Sequence, residues 1–169
     1  MRGRLRRCGA LSLLLAAAGC GDGDEVVKRS GKPDYVRVKA ANEGMNAAIR
    51  EARGSVQTFV DALKSPKPNQ SGFAVKKKFP IRGDEGEHIW LTELTYDGKE
   101  FHGRVNNEPV DVKNVKLGDR SSVSPAEISD WMFVQDGRLV GGATIRILYD
   151  LSSPAGRKKF EKETGLKSD

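Results

Sequence analysis

The chain has 169 residues, and its 29 basic against 23 acidic side chains give a formal charge of +6. Two cysteines, both within the first twenty residues, exclude a disulfide-stapled scaffold, and two histidines leave little material for a metal centre. This length suits one domain with its own core.

The chain opens with MRGRLRRCGALSLLLAAAGC. Arg2, Arg4, Arg6 and Arg7 form a cationic start, Ala10 to Ala18 an apolar run, and small residues lead into Cys20. That is the layout of a secretory signal, and the run is too short to cross a hydrocarbon layer of ~30 Å. "AAGC" resembles the lipobox of bacterial lipoproteins, with Ala17 where leucine is usual. The resemblance implies cleavage before Cys20 and lipidation of that cysteine. Residues 1–19 are therefore expected to be a signal peptide, and the mature chain to be anchored in the cell envelope facing the periplasm. Gly21 rather than aspartate after the cysteine favours the outer membrane over the inner one. Loss of four arginines leaves 25 basic against 23 acidic residues, a balance of +2, so the high charge belongs to targeting and gives no case for nucleic acid. Cys8 leaves with the signal and Cys20 is acylated, which removes thiol nucleophiles and Cys-ligated metals from the folded part.

Residues 20–40 are polar with Gly and Pro and read as a flexible tether, roughly 25 Å in reach; "YVRVK" is the alternative there, as an edge strand. A helix is predicted over 42–64. Met45, Ala48, Ile49, Ala52, Val56, Phe59, Val60 and Leu63 recur at spacings of three and four, Asn42 is the N-cap, and "SPKP" stops it. From Phe73 the period becomes two: "FAVKKKF" sets Phe73, Val75 and Phe79 against Lys76 and Lys78, a strand with a solvated lysine face. "EHIWLTELTYDGKEFHGRV" reads as a hairpin about Asp97-Gly98. If Tyr96 faces Lys99, Leu94 pairs with Phe101, Trp90 with Val105 and Glu93 with His102, while His88 faces Asn107.

Residues 106–123 show short apolar alternation, and "SPAE" at 124–127 has a capping-box pattern for one or two helical turns. A second hairpin about Asp136-Gly137 pairs Gln135 with Arg138, Met132 with Gly141 and Trp131 with Gly142. The two glycines are then expected to make room for Trp131 and Met132, with "ATIRILYD" continuing as a strand. "SSPAGRKKFEKETG" closes the chain as a short exposed helix between Ser153-Pro154 and Gly165.

Chemistry is sparse. Glu93 beside His102 is a weak acid–base candidate pair, and Asp130 with Trp131 a candidate binding surface. His88 and His102 are too far apart in this register to share a metal ion. There is no Gly-x-Ser-x-Gly elbow, and Gly141-Gly142 lacks the Lys-Ser/Thr of a phosphate loop. No residue pattern asks for a cofactor.

Residues 73 to about 150 resemble the shared domain of the YegJ-like bacterial proteins. The resemblance rests on "EHIWLTELTYDGKEFHGRV", "NNEPVDVKNVKLGD" and above all "EISDWMFVQDGRLVGGATIRIL". It implies a small bacterial α+β domain and no particular activity. The expected architecture is one α+β domain over 41–169: a curved antiparallel sheet of about five to six strands, one long N-terminal helix packed on it, and a short C-terminal helix. The expected role is a non-enzymatic binding or scaffold module for an envelope protein or polymer. The alternatives are an envelope hydrolase using Glu93 and His102, or an immunity-type protein that neutralises a toxin.

Overall fold

The computed structural model describes residues 42–83, 85–152 and 154–164, with three short strands upstream. These are β1 (Leu15–Ala17), β2 (Glu25–Val27) and β3 (Tyr35–Arg37). The remainder of 1–41, including Cys20 and the expected cleavage point, lies outside the described residues, as do Ser153 and Gly165. Within the expected tether, Tyr35–Arg37 takes the strand form.

The apolar stripe builds two helices rather than one, α1 (Glu43–Gly54) and α2 (Val56–Lys64). The Asn42 side chain caps α1 by accepting from the Met45 N–H at 2.8 Å. The break falls at Gly54-Ser55. Glycine is a poor helix former, and the Ser55 hydroxyl donates to the Glu51 carbonyl at 2.8 Å, competing with the regular ladder. The stripe survives the break, since Met45, Ala48, Ala52, Phe59 and Val60 are all buried.

A meander follows: β4 (Gln70–Pro80), β5 (Gly86–Tyr96), β6 (Phe101–Val105) and β7 (Arg120–Val123). β8 (Ile128–Gln135) returns to pair with the far side of β4, and β9 (Arg138–Gly141) folds back on β8. β4 to β9 form an antiparallel six-stranded sheet in the order β7-β6-β5-β4-β8-β9, and β1 pairs with the start of β5 beyond the end of β6. The sheet curls enough for Lys77 of β4 to donate to the Ser122 carbonyl of β7, three strands away, at 2.6 Å.

One face packs on α1 and α2. Its centre is Phe59, whose ring lies 5.6 Å from both Phe101 and Trp131 and 5.9 Å from Phe73, offset contacts that add to simple area burial. The other face is covered by α3 (Ala143–Leu151), with Ala74, Trp90, Met132 and Ile145 buried together and Phe160 of α4 (Pro154–Thr164) against them. The fold is α+β, with helices on both faces of the sheet.

The second face accounts for several departures from the sequence reading. Lys76 is not solvated but fully buried, because β4 lies between β5 and β8 and α3 covers the side to which Lys76 points. The first hairpin pairs Tyr96 with Phe101 and Thr95 with His102, so its loop is four residues long. A bulge at Glu93, where φ is 52°, then slips the register so that Leu91 faces Val105. Trp90 therefore lies on the face opposite Phe101 and Val105. Residues 106–119 form an irregular loop, and "SPAE" makes a turn in which Ser124 Oγ donates to Glu127 at 2.7 Å.

"ATIRILYD" is helix, not strand. The second hairpin keeps its expected register as far as Met132 and Gly141, but Gly141 and Gly142 both have positive φ, 76° and 70°, and turn the chain out of the sheet. Of the two residues expected to fill the space, only Trp131 does so, and only at Gly141. A Cβ on Gly141 would run into the Trp131 ring and carbonyl, while one on Gly142 would meet Leu139 at 2.8 Å. Gly141→Ala should lower unfolding free energy by roughly 2–3 kcal/mol, from overpacking plus the left-handed backbone. Gly137→Ala, with φ at 77° but open space around it, should lose only about 1 kcal/mol. Equal urea midpoints for the two variants would remove the steric argument.

Candidate functional site

Asp130, one of the residues singled out from sequence, stands directly opposite Lys76 across the β4–β8 pair. Both are fully buried. The carboxylate accepts from the N–H groups of Trp131 (2.9 Å), Ala143 (3.2 Å) and Thr144 (2.9 Å) and from the Thr144 hydroxyl (2.5 Å). It thereby caps α3 from a neighbouring strand, since Gly142 at the cap position has no side chain to do so. Lys76 Nζ donates to Thr144 Oγ1 at 2.6 Å and sits 4.5 Å from the Trp90 ring centroid. Burial pushes the Asp130 pKa up against the pull of Lys76 and the hydrogen bonds, and lowers that of Lys76 to about 8 against the pull of Asp130. The Trp90 indole N–H beside them is buried without a hydrogen-bond partner among the described residues.

Trp131, the second singled-out residue, points to the other face. Its Nε1 donates to the Ala52 carbonyl in the last turn of α1 at 2.9 Å, with Ser55 Oγ at 3.3 Å. The helix break thus has a partner in the sheet. A cleft does open beside it, lined by Glu51, Ser55, Thr58 and Arg146 with Asp130 and Trp131 at its floor. Both floor residues are spent on internal bonds.

Two more buried polar groups lie along the first half of β5. His88 Nδ1 is 2.6 Å from Ser129 Oγ, and burial first, then the charges of Lys76, Lys78 and Arg53, lower its pKa to about 3. It is neutral at physiological pH. Glu87 is fully buried, and its carboxylate accepts from the N–H groups of Val110 (2.9 and 3.0 Å), Asp111 (3.0 Å) and Val112 (3.1 Å). That carboxylate fastens the irregular loop 106–119 to the sheet, where backbone donors would otherwise go unpaired. Glu87→Gln should cost roughly 1–3 kcal/mol, because its amide turns donors toward donors. Amide exchange at Val110 to Val112 should accelerate at least tenfold with the core unaffected. Unchanged exchange there would refute the fastening role.

The expected Glu93–His102 pair is not formed. The bulge aims Glu93 at Arg104, 3.0 Å from its Nε, while His102 Nε2 is 2.8 Å from Asp97 Oδ2 in the hairpin loop. Asp97 is held well below the usual carboxylate range by the N–H groups of Glu100 and Lys99 and by His102. Glu93 and His102 still border one shallow groove on the open back of β5, β6 and β7, together with Thr95, Arg104, Arg120 and Ser122. Among the described residues no group of three His, Cys, Asp or Glu side chains is placed to hold a metal ion.

Sequence reading missed Lys76, Glu87, Ser129 and Thr144. A lysine in a strand reads as exposed unless both faces of that strand are known to be covered. The available signal was Asp130 itself, a carboxylate directly before the apolar run Trp131 to Val134.

The bacterial family described as "Uncharacterized protein conserved in bacteria (DUF2314)" matches residues 42–168. The chain is 35% identical over 103 residues to "Uncharacterized protein YegJ" of Escherichia coli K12, covering 61% of this chain and 65% of that protein. It is 32% identical over 136 residues to a Neisseria meningitidis serogroup B protein named "Putative ankyrin repeat protein", covering 76% of this chain and 54% of that one. The chain thus spans somewhat under two thirds of the first relative and about half of the second. No solved structure matches.

Proposed function

Because the chain belongs to the bacterial family DUF2314, we propose that it is that family's domain carried on a cell-envelope lipoprotein, acting as a non-enzymatic binding or scaffold module. The anchor rests on Cys20 at the end of "AAGC" behind a cationic and apolar start. Gly21 favours the outer membrane, with the domain facing the periplasm.

Binding rather than turnover is supported by one observation: Glu93 and His102, brought to the same groove, are each tied to another partner, Arg104 and Asp97. A general base must be free to meet a substrate proton. The buried Lys76–Thr144–Asp130 chain has no exposed member and holds α3 in place.

The anchor is tested by growing cells with an alkyne-palmitate and following the protein through membrane fractionation. The wild-type chain should be labelled and sediment with membranes, while Cys20→Ala should be unlabelled. Label retained by Cys20→Ala would refute the anchor. The binding role is tested by crosslinking the anchored protein in its own envelope and rebinding any captured molecule in purified form. Failure to recover a saturable one-to-one complex counts against it.

A further inference from the structure

The groove on the back of β5, β6 and β7 contains an arrangement that folding does not need. Arg104 and Arg120 are direct cross-strand partners. The backbone bond from Val105 N–H to the Asp119 carbonyl, 2.9 Å, marks the next pair as the hydrogen-bonded one. Arg104 and Arg120 therefore form the non-bonded kind of pair, in which side chains approach most closely. Like charges directly opposite are destabilising. Only one of the two is neutralised. Arg104 bonds Glu93 at 3.0 Å and the Gly118 carbonyl at 2.9 Å. Among the described residues, exposed Arg120 has no hydrogen-bond or ion-pair partner.

The backbone around the pair is also specialised. Glu93 sits in the left-handed region, φ 52°, where a non-glycine residue is strained, and that bulge is what delivers its carboxylate to Arg104. The groove thus already holds one carboxylate on one guanidinium and presents a second guanidinium beside it, with the half-buried Ser122 hydroxyl on the same floor. Resting on the binding reading above, we infer that this groove is the docking site for an acidic segment of a partner protein, with Arg120 receiving a carboxylate from that segment. A guanidinium takes a carboxylate through two parallel N–H donors, a geometry that lysine cannot reproduce.

The probe is a synthetic hexaglutamate peptide, titrated into the isotope-labelled full chain at low salt while amide and arginine Nε–H resonances are followed. Shifts should concentrate at Arg120, Arg104, Ser122 and Thr95, and should weaken as salt is raised. Arg120→Gln should raise the apparent dissociation constant at least tenfold. Its melting temperature should be unchanged or higher, because the variant relieves a like-charge pair; a fall of several degrees would make Arg120 a structural residue and overturn the proposal. Shifts mapping elsewhere, or insensitive to Arg120→Gln, would also overturn it. Stronger perturbation of the same resonances by inorganic phosphate or by phosphatidylglycerol vesicles would replace the protein partner with a phosphate-bearing one. If a partner captured from the envelope still binds the Arg120→Gln protein at full strength, the groove assignment fails while the binding reading stands.

Discussion

Asp130→Ala is expected to destabilise the domain by roughly 3–5 kcal/mol, the range for leaving a buried charge uncompensated, with a melting temperature lower by about 10 °C or more. Three losses coincide. The N–H groups of Ala143 and Thr144 lose the carboxylate that caps α3, Thr144 loses an acceptor, and buried Lys76 loses the one negative charge that opposes its desolvation. Lys76 then has one hydrogen bond and the Trp90 ring to support an ammonium. The double variant Lys76→Met, Asp130→Ala separates these terms. It should recover at least 1 kcal/mol relative to Asp130→Ala alone, because the uncompensated charge is gone while the cap is still missing. Additive losses in chemical denaturation would show that the two side chains do not act as a pair.

Acidification should destabilise the protein through His88 well before the general titration of carboxylates. The folded-state pKa of about 3 lies below the ordinary 6.5, so between these values the unfolded chain binds a proton that the folded one refuses. His88 therefore contributes nothing adverse above pH 6.5, and stability falls progressively as pH drops from there toward 3. The full effect is about 5 kcal/mol, at 1.36 kcal/mol for each tenfold difference in proton affinity. Replacing His88 with a neutral residue that can still bond Ser129, as in His88→Asn, should flatten the stability profile between pH 6.5 and 4, even if stability at pH 7 is reduced. A slope as steep as that of the wild type would assign the acid sensitivity to other groups.

Legibility in the sequence followed how local each physical cause is. The N-cap at Asn42, the stripe from Met45 to Leu63 and the register about Asp136-Gly137 depend on neighbours within a few residues, and the folded chain has them. The first hairpin failed at one residue. Glu93 adopts positive φ, which nothing in "LTELTY" announces, and the slip separated it from His102. The strand reading of "ATIRILYD", residues 143–150, continued the hairpin in one direction. Gly141 and Gly142 together turned the chain instead, after which Ile145 and Leu148, three apart, became one helix face.

The fold class is local in origin: an apolar helical stripe, alternating strands and turn dipeptides admit an α+β domain with little latitude, because hydrophobic periodicity dictates which faces are buried. The sequence by itself also marks Asp130 and Trp131 as unusual, though not why. The covering of both faces of β4 arises at the level of the assembled sheet, and with it the burial of Lys76, the capping of α3 from β8 and the neutral state of His88. Those outcomes depend on which strands become neighbours and on what packs behind them. Both are set by long-range closure of the sheet, which carries no signature in any short stretch of chain.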